Sequence, residues 1–261
     1  VNLGDVQVVV RTRSTRESID LAFPFIARLG GRRYMLLILA VSVAETLLAC
    51  ACKFLFDLTW ADVWWLALPL GVWTQGIFTI AAGELMFSSE LRLRRVVSAF
   101  FRRFVSYSTA MFTTRLLLVL SAFTIIFAPW LWGRVLFVPE AVLLEQANAS
   151  KAGSRAARLA GPFRPALIEL LFWQAMILGF GVITSESLGR GLVEFTLQLS
   201  LPLGNLMEES GSLYGLFGWF VALPVACTVR FLSYIDGRTR SDAWDVQIKL
   251  QRIVQLEEQR E

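Results

Sequence analysis

Four stretches of this chain are long and apolar enough to cross a bilayer once, and a fifth is long enough to cross twice. They run from Tyr34 to Phe56, Trp60 to Ser88, Pro165 to Thr184 and Ser212 to Tyr234, with the longer one from Ser106 to Gln146. A helix rises about 1.5 Å per residue, so about 20 apolar residues cover a ~30 Å hydrocarbon core. Within that core every backbone polar group must be satisfied by protein, which leaves helices or closed barrels. The segments mix Leu, Ala, Val and Phe without the ~10-residue alternation of barrel strands. The expected fold is therefore all-α, a polytopic transmembrane bundle. A hydrophobic fraction of 56% agrees, because a soluble domain of this size would need a larger polar shell.

The basic residues set the topology. All but Lys53, Arg115, Arg134 and Arg190 of the 25 Lys and Arg residues fall in alternate connections or at the two ends. Such asymmetry marks the rich side as cytoplasmic. For both termini to lie inside, the number of crossings must be even, so the Ser106–Gln146 stretch is expected to form a hairpin. Ala128-Pro129 and Gly133-Arg134 offer the break, since proline disfavours helix at the residue before it. Trp130 and Trp132 suit the interface at the turn. The reading is about six helices, the third and fourth forming the hairpin, with both termini cytoplasmic. The return arm is short and carries Glu140 and Glu145, which suits a half-buried or re-entrant helix shielded by its neighbours. The chain divides into an amphipathic N-terminal segment (1–33), a transmembrane domain (34–235) and a charged cytoplasmic tail (236–261).

The chain has no histidine. That removes Ser-His-Asp and Cys-His nucleophile pairs, imidazole metal sites and the usual general base near neutral pH. Cys50 and Cys52 point about 200° apart on a helix, and Cys227 lies in the last span, so all three read as small apolar side chains. No catalytic, cofactor or metal site is expected. Loop arginines beside a membrane need no nucleic acid to explain them.

Charges inside the spans carry more information. Glu45, Glu84, Arg115, Glu140 and Glu169 form a candidate intramembrane charge cluster. Helical rise puts Arg115 about 13 Å past Ser106 and Glu140 about 9 Å before Gln146. An unpaired charge at such depth costs at least ~2.5–3.5 kcal/mol, so pairing of Arg115 with Glu140 or Glu84 is expected. Glu45 has no cation at its depth. Gly211 and Gly215 form a GxxxG spacing, and Ala81-Ala82-Gly83 puts small residues on the second span; both suit close helix packing. From Val193 to Leu203 apolar and polar residues alternate, as a strand or an extended or helical interfacial segment would.

Two amphipathic pieces are expected on the cytoplasmic side. Ser14-Thr15-Arg16-Glu17 fits a capping box, followed by Ile19, Phe23 and Ile26 on one face and Pro24 at a kink. Beyond Ser241, Val246, Leu250 and Ile253 share a helix face suited to docking.

Two segments look familiar together. One runs Phe137-Val138-Pro139-Glu140-Ala141-Val142-Leu143-Leu144-Glu145, then Ala149 to Arg155 and Ala160-Gly161-Pro162-Phe163-Arg164. The other is the tail motif built on Tyr234, Asp236, Arg238, Arg240, Asp242, Trp244 and Asp245. They resemble an uncharacterised family of bacterial six-helix membrane proteins, similar to the membrane domain attached to some glycerophosphoryl diester phosphodiesterases. Here Asp242 and Ala243 replace the family's Glu and Gly, and Glu140 stands where an apolar residue is usual. The resemblance implies six helices and a multi-pass location in the bacterial inner (cytoplasmic) membrane. It carries no activity, because phosphodiesterase chemistry belongs to a separate barrel domain with histidine and acidic metal ligands. The expected function is non-enzymatic: a membrane subunit or scaffold in the lipid bilayer that docks membrane or cytoplasmic proteins through its loops and tail. The alternative is a transporter of a small solute, ion or lipid, using the intramembrane carboxylates and Arg115.

Overall fold

The computed structural model describes residues 11–88, 90–123, 128–161, 164–199 and 203–243. The order is α1 (Thr15–Pro24), α2 (Gly31–Phe56), α3 (Trp60–Phe87), α4 (Leu93–Ala122), α5 (Ala128–Val135), α6 (Val138–Leu143), α7 (Ala149–Ala160), α8 (Arg164–Arg190), β1 (Gly204–Asn205), β2 (Gly211–Ser212) and α9 (Leu213–Asp242). Five helical runs are long and apolar enough to cross a membrane: α1 with α2, then α3, α4, α8 and α9. This is a helical, multi-pass membrane architecture.

The sequence explains where the helices stop and start. Asp57 takes a left-handed conformation after α2, and Thr59 caps α3 through a reciprocal pair with Asp62, so three residues reverse the chain. The expected box at Ser14 is present, with Glu17 bonded to the Ser14 amide and Ser14 to the Glu17 amide. Pro24 does not end that helix. It leads into a π-helical turn, Phe25–Gly30, and the change of direction falls at Gly31, whose positive φ of 54° needs glycine. Phe23, expected on the apolar face, is exposed; Thr15, Ser18, Ala22 and Phe25 turn inward instead, onto α9.

α9 is the central post. In its most apolar window 78% of residues are buried, against 11–39% in the other four runs, whose outward faces are left for lipid. Against α8 it packs through small residues repeated every fourth position, Gly181 and Ser185 facing Gly218 and Ala222, and Gly189 facing the Tyr214 ring. A methyl group on Gly218 would lie 2.2 Å from the Gly181 carbonyl oxygen, so the two backbones touch. The GxxxG expected at Gly211 and Gly215 is not this seam. Gly211 belongs to β2 and lies against the Trp60 backbone, and Gly215 is in the capped first turn of α9.

The Ser106–Gln146 stretch turns back on itself, but not as two equal helices. α4 runs straight through to Ala122, and the return is made by α5 and α6, of 8 and 6 residues. α5 begins at Ala128 with Pro129 in its first turn, where the sequence offers the break, while Gly133 and Arg134 stay inside α5; a second interruption follows Val135, and Pro139 starts α6 afresh. The arm ends where Arg103 donates to Gln146 at 2.6 Å, beside the first half of α4. All six residues of α6 are buried among α3, α4 and α7.

The alternating segment is no strand over its described part. Gly191–Thr196 continues α8 as a π-helical turn, and the two short strands pair antiparallel just beyond it. Arg190 pins this connection, donating to Glu186, Glu194 and the Gly204 carbonyl, while the Ser212 hydroxyl donates to Glu186. The docking helix expected after Ser241 lies outside the described residues from 244 onward; α9 itself ends at Asp242, with Ala243 left-handed.

Candidate functional site

Among the described residues the one carboxylate buried completely is Glu140, and its partner is Arg230. Arg230 Nε donates to Glu140 Oε1 at 2.7 Å, with 6% and 0% of the two side chains exposed. Two polar groups on α3 complete the set: Arg230 Nη1 donates to Gln75 Oε1 at 2.8 Å, and Nη2 approaches the Thr79 hydroxyl at 3.4 Å. The pairing expected for Arg115 is therefore corrected. The charge asymmetry groups Arg230 with the cytoplasmic basic residues, but it lies on the last transmembrane helix inside the bundle, one turn before Tyr234. The signal that could have found it is spacing: Cys227, Arg230 and Tyr234 share one face of α9, and all three are buried.

Arg230 also borders a cavity of about 840 Å³ enclosed by α3, α4, α5, α8 and α9. Its walls run from Trp65 to Gln75 on α3, Ser108 to Val119 on α4 and Trp219 to Arg230 on α9. Ten or eleven residues at 1.5 Å each make it roughly 15 Å long, about one leaflet of hydrocarbon. One end is polar, with Arg230, Gln75, Ser108 and Gln174; the other is aromatic, with Trp65 and Trp219. The cavity exists because α4 packs on α3 and on the return arm but not along α8. At its mouth Trp65 and Phe112 are largely exposed, 77% and 71%, so it faces the lipid side.

Arg115 projects from α4 into this space. Among the described residues it has no ion pair and no hydrogen bond, and the charged or ionisable groups that act on it most are Arg230 and Tyr107. Tyr107 is buried with its hydroxyl donating to the Val72 carbonyl at 2.7 Å.

The other members of the expected cluster are elsewhere. Glu84 faces Arg95 at 3.5 Å near the ends of α3 and α4. Glu169 meets Arg16 of α1 at the surface, also at 3.5 Å. Glu45 is buried on α2 with neither carboxylate oxygen hydrogen-bonded among the described residues; Thr74 lies alongside but donates to the Leu70 and Gly71 carbonyls. Only Glu140 and Arg115 are brought near one another, through Arg230. Cys227 lines the cavity as a free thiol, and the described residues contain no group of three or more Cys, Asp or Glu suited to a metal ion.

The tail motif closes the opposite end of α9. The Tyr234 hydroxyl donates to Glu145 Oε1 at 2.9 Å, and Arg155 of α7 forks onto the same carboxylate at 2.5 and 2.9 Å. Arg155 also reaches Asp242 at 2.5 Å, and Arg238 lies 3.5 Å from Glu145. The hydrogen bonds it donates to Glu145, then to Asp242, hold the Arg155 guanidinium above its ordinary pKa. A second set joins Asp236 to Arg240 at 3.0 Å, and both grip the Arg13 backbone, through its amide at 2.7 Å and its carbonyl at 2.8 Å. Trp244 and Asp245 lie outside the described residues. Comparison of the chain with protein-family models, curated proteins and solved structures finds no match.

Proposed function

We propose that this chain is a six-crossing membrane protein with both termini cytoplasmic, and that it works without chemistry by holding the acyl part of a lipid-like guest. The observation that carries this is the cavity: one leaflet long, walled by aliphatic and aromatic side chains, and open toward lipid between α4 and α8. Binding sites for small molecules are commonly concave and apolar, with a few convergent polar groups. An ion pathway is less well supported. Glu45, Glu84 and Glu169 do not line the cavity, and Glu140 is held by Arg230.

A bacterial inner-membrane location follows from the basic-residue asymmetry and the resemblance of the Phe137–Asp245 segments, and six crossings count the return arm as one. Cysteine labelling tests this. Residues placed at 57 and 208 should react from outside, and one at 154 only after permeabilisation; external reaction at 154 would remove the sixth crossing. For the guest, brominated acyl chains should quench the fluorescence of Trp65, Trp73 and Trp219 saturably. Filling the wall with Ala175→Phe should abolish the saturable part. Quenching that stays linear with lipid content, as for bulk bilayer contact, would sink the reading.

A further inference from the structure

An acyl chain alone does not require a cation in the wall, yet Arg115 is there. A guanidinium at a helix centre in lipid is costly unless something compensates its charge. The charge of Arg230 is matched by Glu140 at 2.7 Å. That leaves Arg115 as one positive charge over, facing an apolar cavity lined by no carboxylate among the described residues. Helical side chains lean toward their own N-terminus. The two helices run in opposite directions, so Arg115 leans toward the polar end of the cavity and Arg230 leans back toward Arg115. Gln75 accepts from Arg230 through Oε1, which leaves its amide NH₂ as a further donor at the same end.

Resting on the reading that the cavity holds an acyl chain, we infer that the guest is an anionic amphiphile. Its phosphate or carboxylate is bound by Arg115 at the Arg230–Gln75 end, and its chain runs toward Trp65 and Trp219. A guanidinium presents paired N–H donors that match either oxyanion in a fork, and such charge-assisted bonds gain strength where water is scarce. A cationic head would meet two arginines and is excluded. A neutral head would leave Arg115 uncompensated and is bound more weakly.

Brominated lysophosphatidate and brominated monoacylglycerol share chain and glycerol and differ by the phosphate alone. Titrated against tryptophan fluorescence of the purified protein in detergent, lysophosphatidate should bind about tenfold or more tighter, the worth of one charge-assisted hydrogen bond. Arg115→Gln should bring the two ligands within about twofold while monoacylglycerol binding stays as in the wild type, which also shows that the cavity is intact. Arg115→Lys should keep part of the preference. A tenfold preference that survives in Arg115→Gln overturns the assignment to Arg115. Equal binding of both ligands by the wild type overturns the anionic guest but leaves the acyl cavity standing. Displacement of lysophosphatidate by inorganic phosphate would mean a soluble anion site instead. Failure of either chain to quench saturably removes the acyl reading itself, and this inference with it.

Discussion

The two sides of α8 show how one bundle can be sealed in one place and open in another. Toward α9, Gly181 and Ser185 let the backbones meet, and nothing larger than a hydrogen fits at Gly218. Toward α4, the neighbour is the return arm, whose α5 and α6 are too short to fill the depth that a full helix would occupy. The first interface is held by close contact without any ion pair across it among the described residues; the second is a cavity bordered by two arginines. In lipid, apolar surface gives helices no drive to associate, so packing density decides which seams close. The difference teaches that openness here is a property of the backbone path: a broken arm leaves space, and polar side chains then give that space a chemical preference.

The sharpest way to break the contrast is to enlarge the closed seam. Gly218→Leu would drive a side chain into the Gly181 carbonyl, where only backbone movement could accommodate it. Overpacking commonly costs 1–3 kcal/mol, and a clash with backbone belongs at or beyond the upper end of that range. The variant should lose most folded, monodisperse protein in detergent, measured by size-exclusion chromatography. Ala175→Leu, on the cavity side of α8, should elute as the wild type does. If both variants behave alike, the seam is not tighter than the gap.

The next test separates the two arginines. Arg230→Leu or Glu140→Gln alone strands a buried partner and should cost about 3–5 kcal/mol, read as a lowered melting temperature. Replacing both together should recover much of the loss. Arg115→Leu should cost far less and could stabilise, since it removes a charge without stranding a carboxylate. The Arg115 and Glu140 effects should add within about 0.5 kcal/mol. Strong coupling between them would show that Arg115 shares the Glu140 carboxylate after all.

Much of this molecule could be read from its residues, and the failures have identifiable causes. Spans, helix caps at Ser14 and the turn back toward Arg103 follow from hydropathy, capping chemistry and charge parity, all local or cumulative signals. The pairing of Glu140 with Arg230 depends on tertiary geometry across 90 positions of sequence, which no periodicity reports. Positional counting also misled: an arginine 12 residues before the end of α9 passes for a rim charge only if the helix is assumed to stop near Tyr234. The small-residue seam was hidden for a related reason. Gly211 and Gly215 match the expected spacing, but only position 215 is helical; the contact uses Gly218 and Ala222 against Gly181 and Ser185, a four-residue period split between two helices.

The smallest effect belongs to the C-terminal end of α9, and it sharpens the comparison by supplying a third kind of interface, held by charge between part-exposed side chains. Glu145 receives Tyr234, Arg155 and Arg238 together, so no single donor is indispensable. Tyr234→Phe removes one hydrogen bond from a carboxylate that retains two cations, and should cost about 0.5–1.5 kcal/mol. Arg155→Gln breaks contacts to both Glu145 and Asp242, but these side chains keep 14–24% of their surface in solvent, which weakens the loss toward about 1 kcal/mol. Salt distinguishes this set from the Glu140–Arg230 pair. The Arg155 contribution should shrink as ionic strength rises and the Debye length falls to a few ångströms, whereas the penalty of Glu140→Gln should hold. Melting temperatures of both variants at low and high salt measure the difference. An Arg155→Gln penalty that is unchanged in high salt would mean that this end of α9 is as dry as its middle.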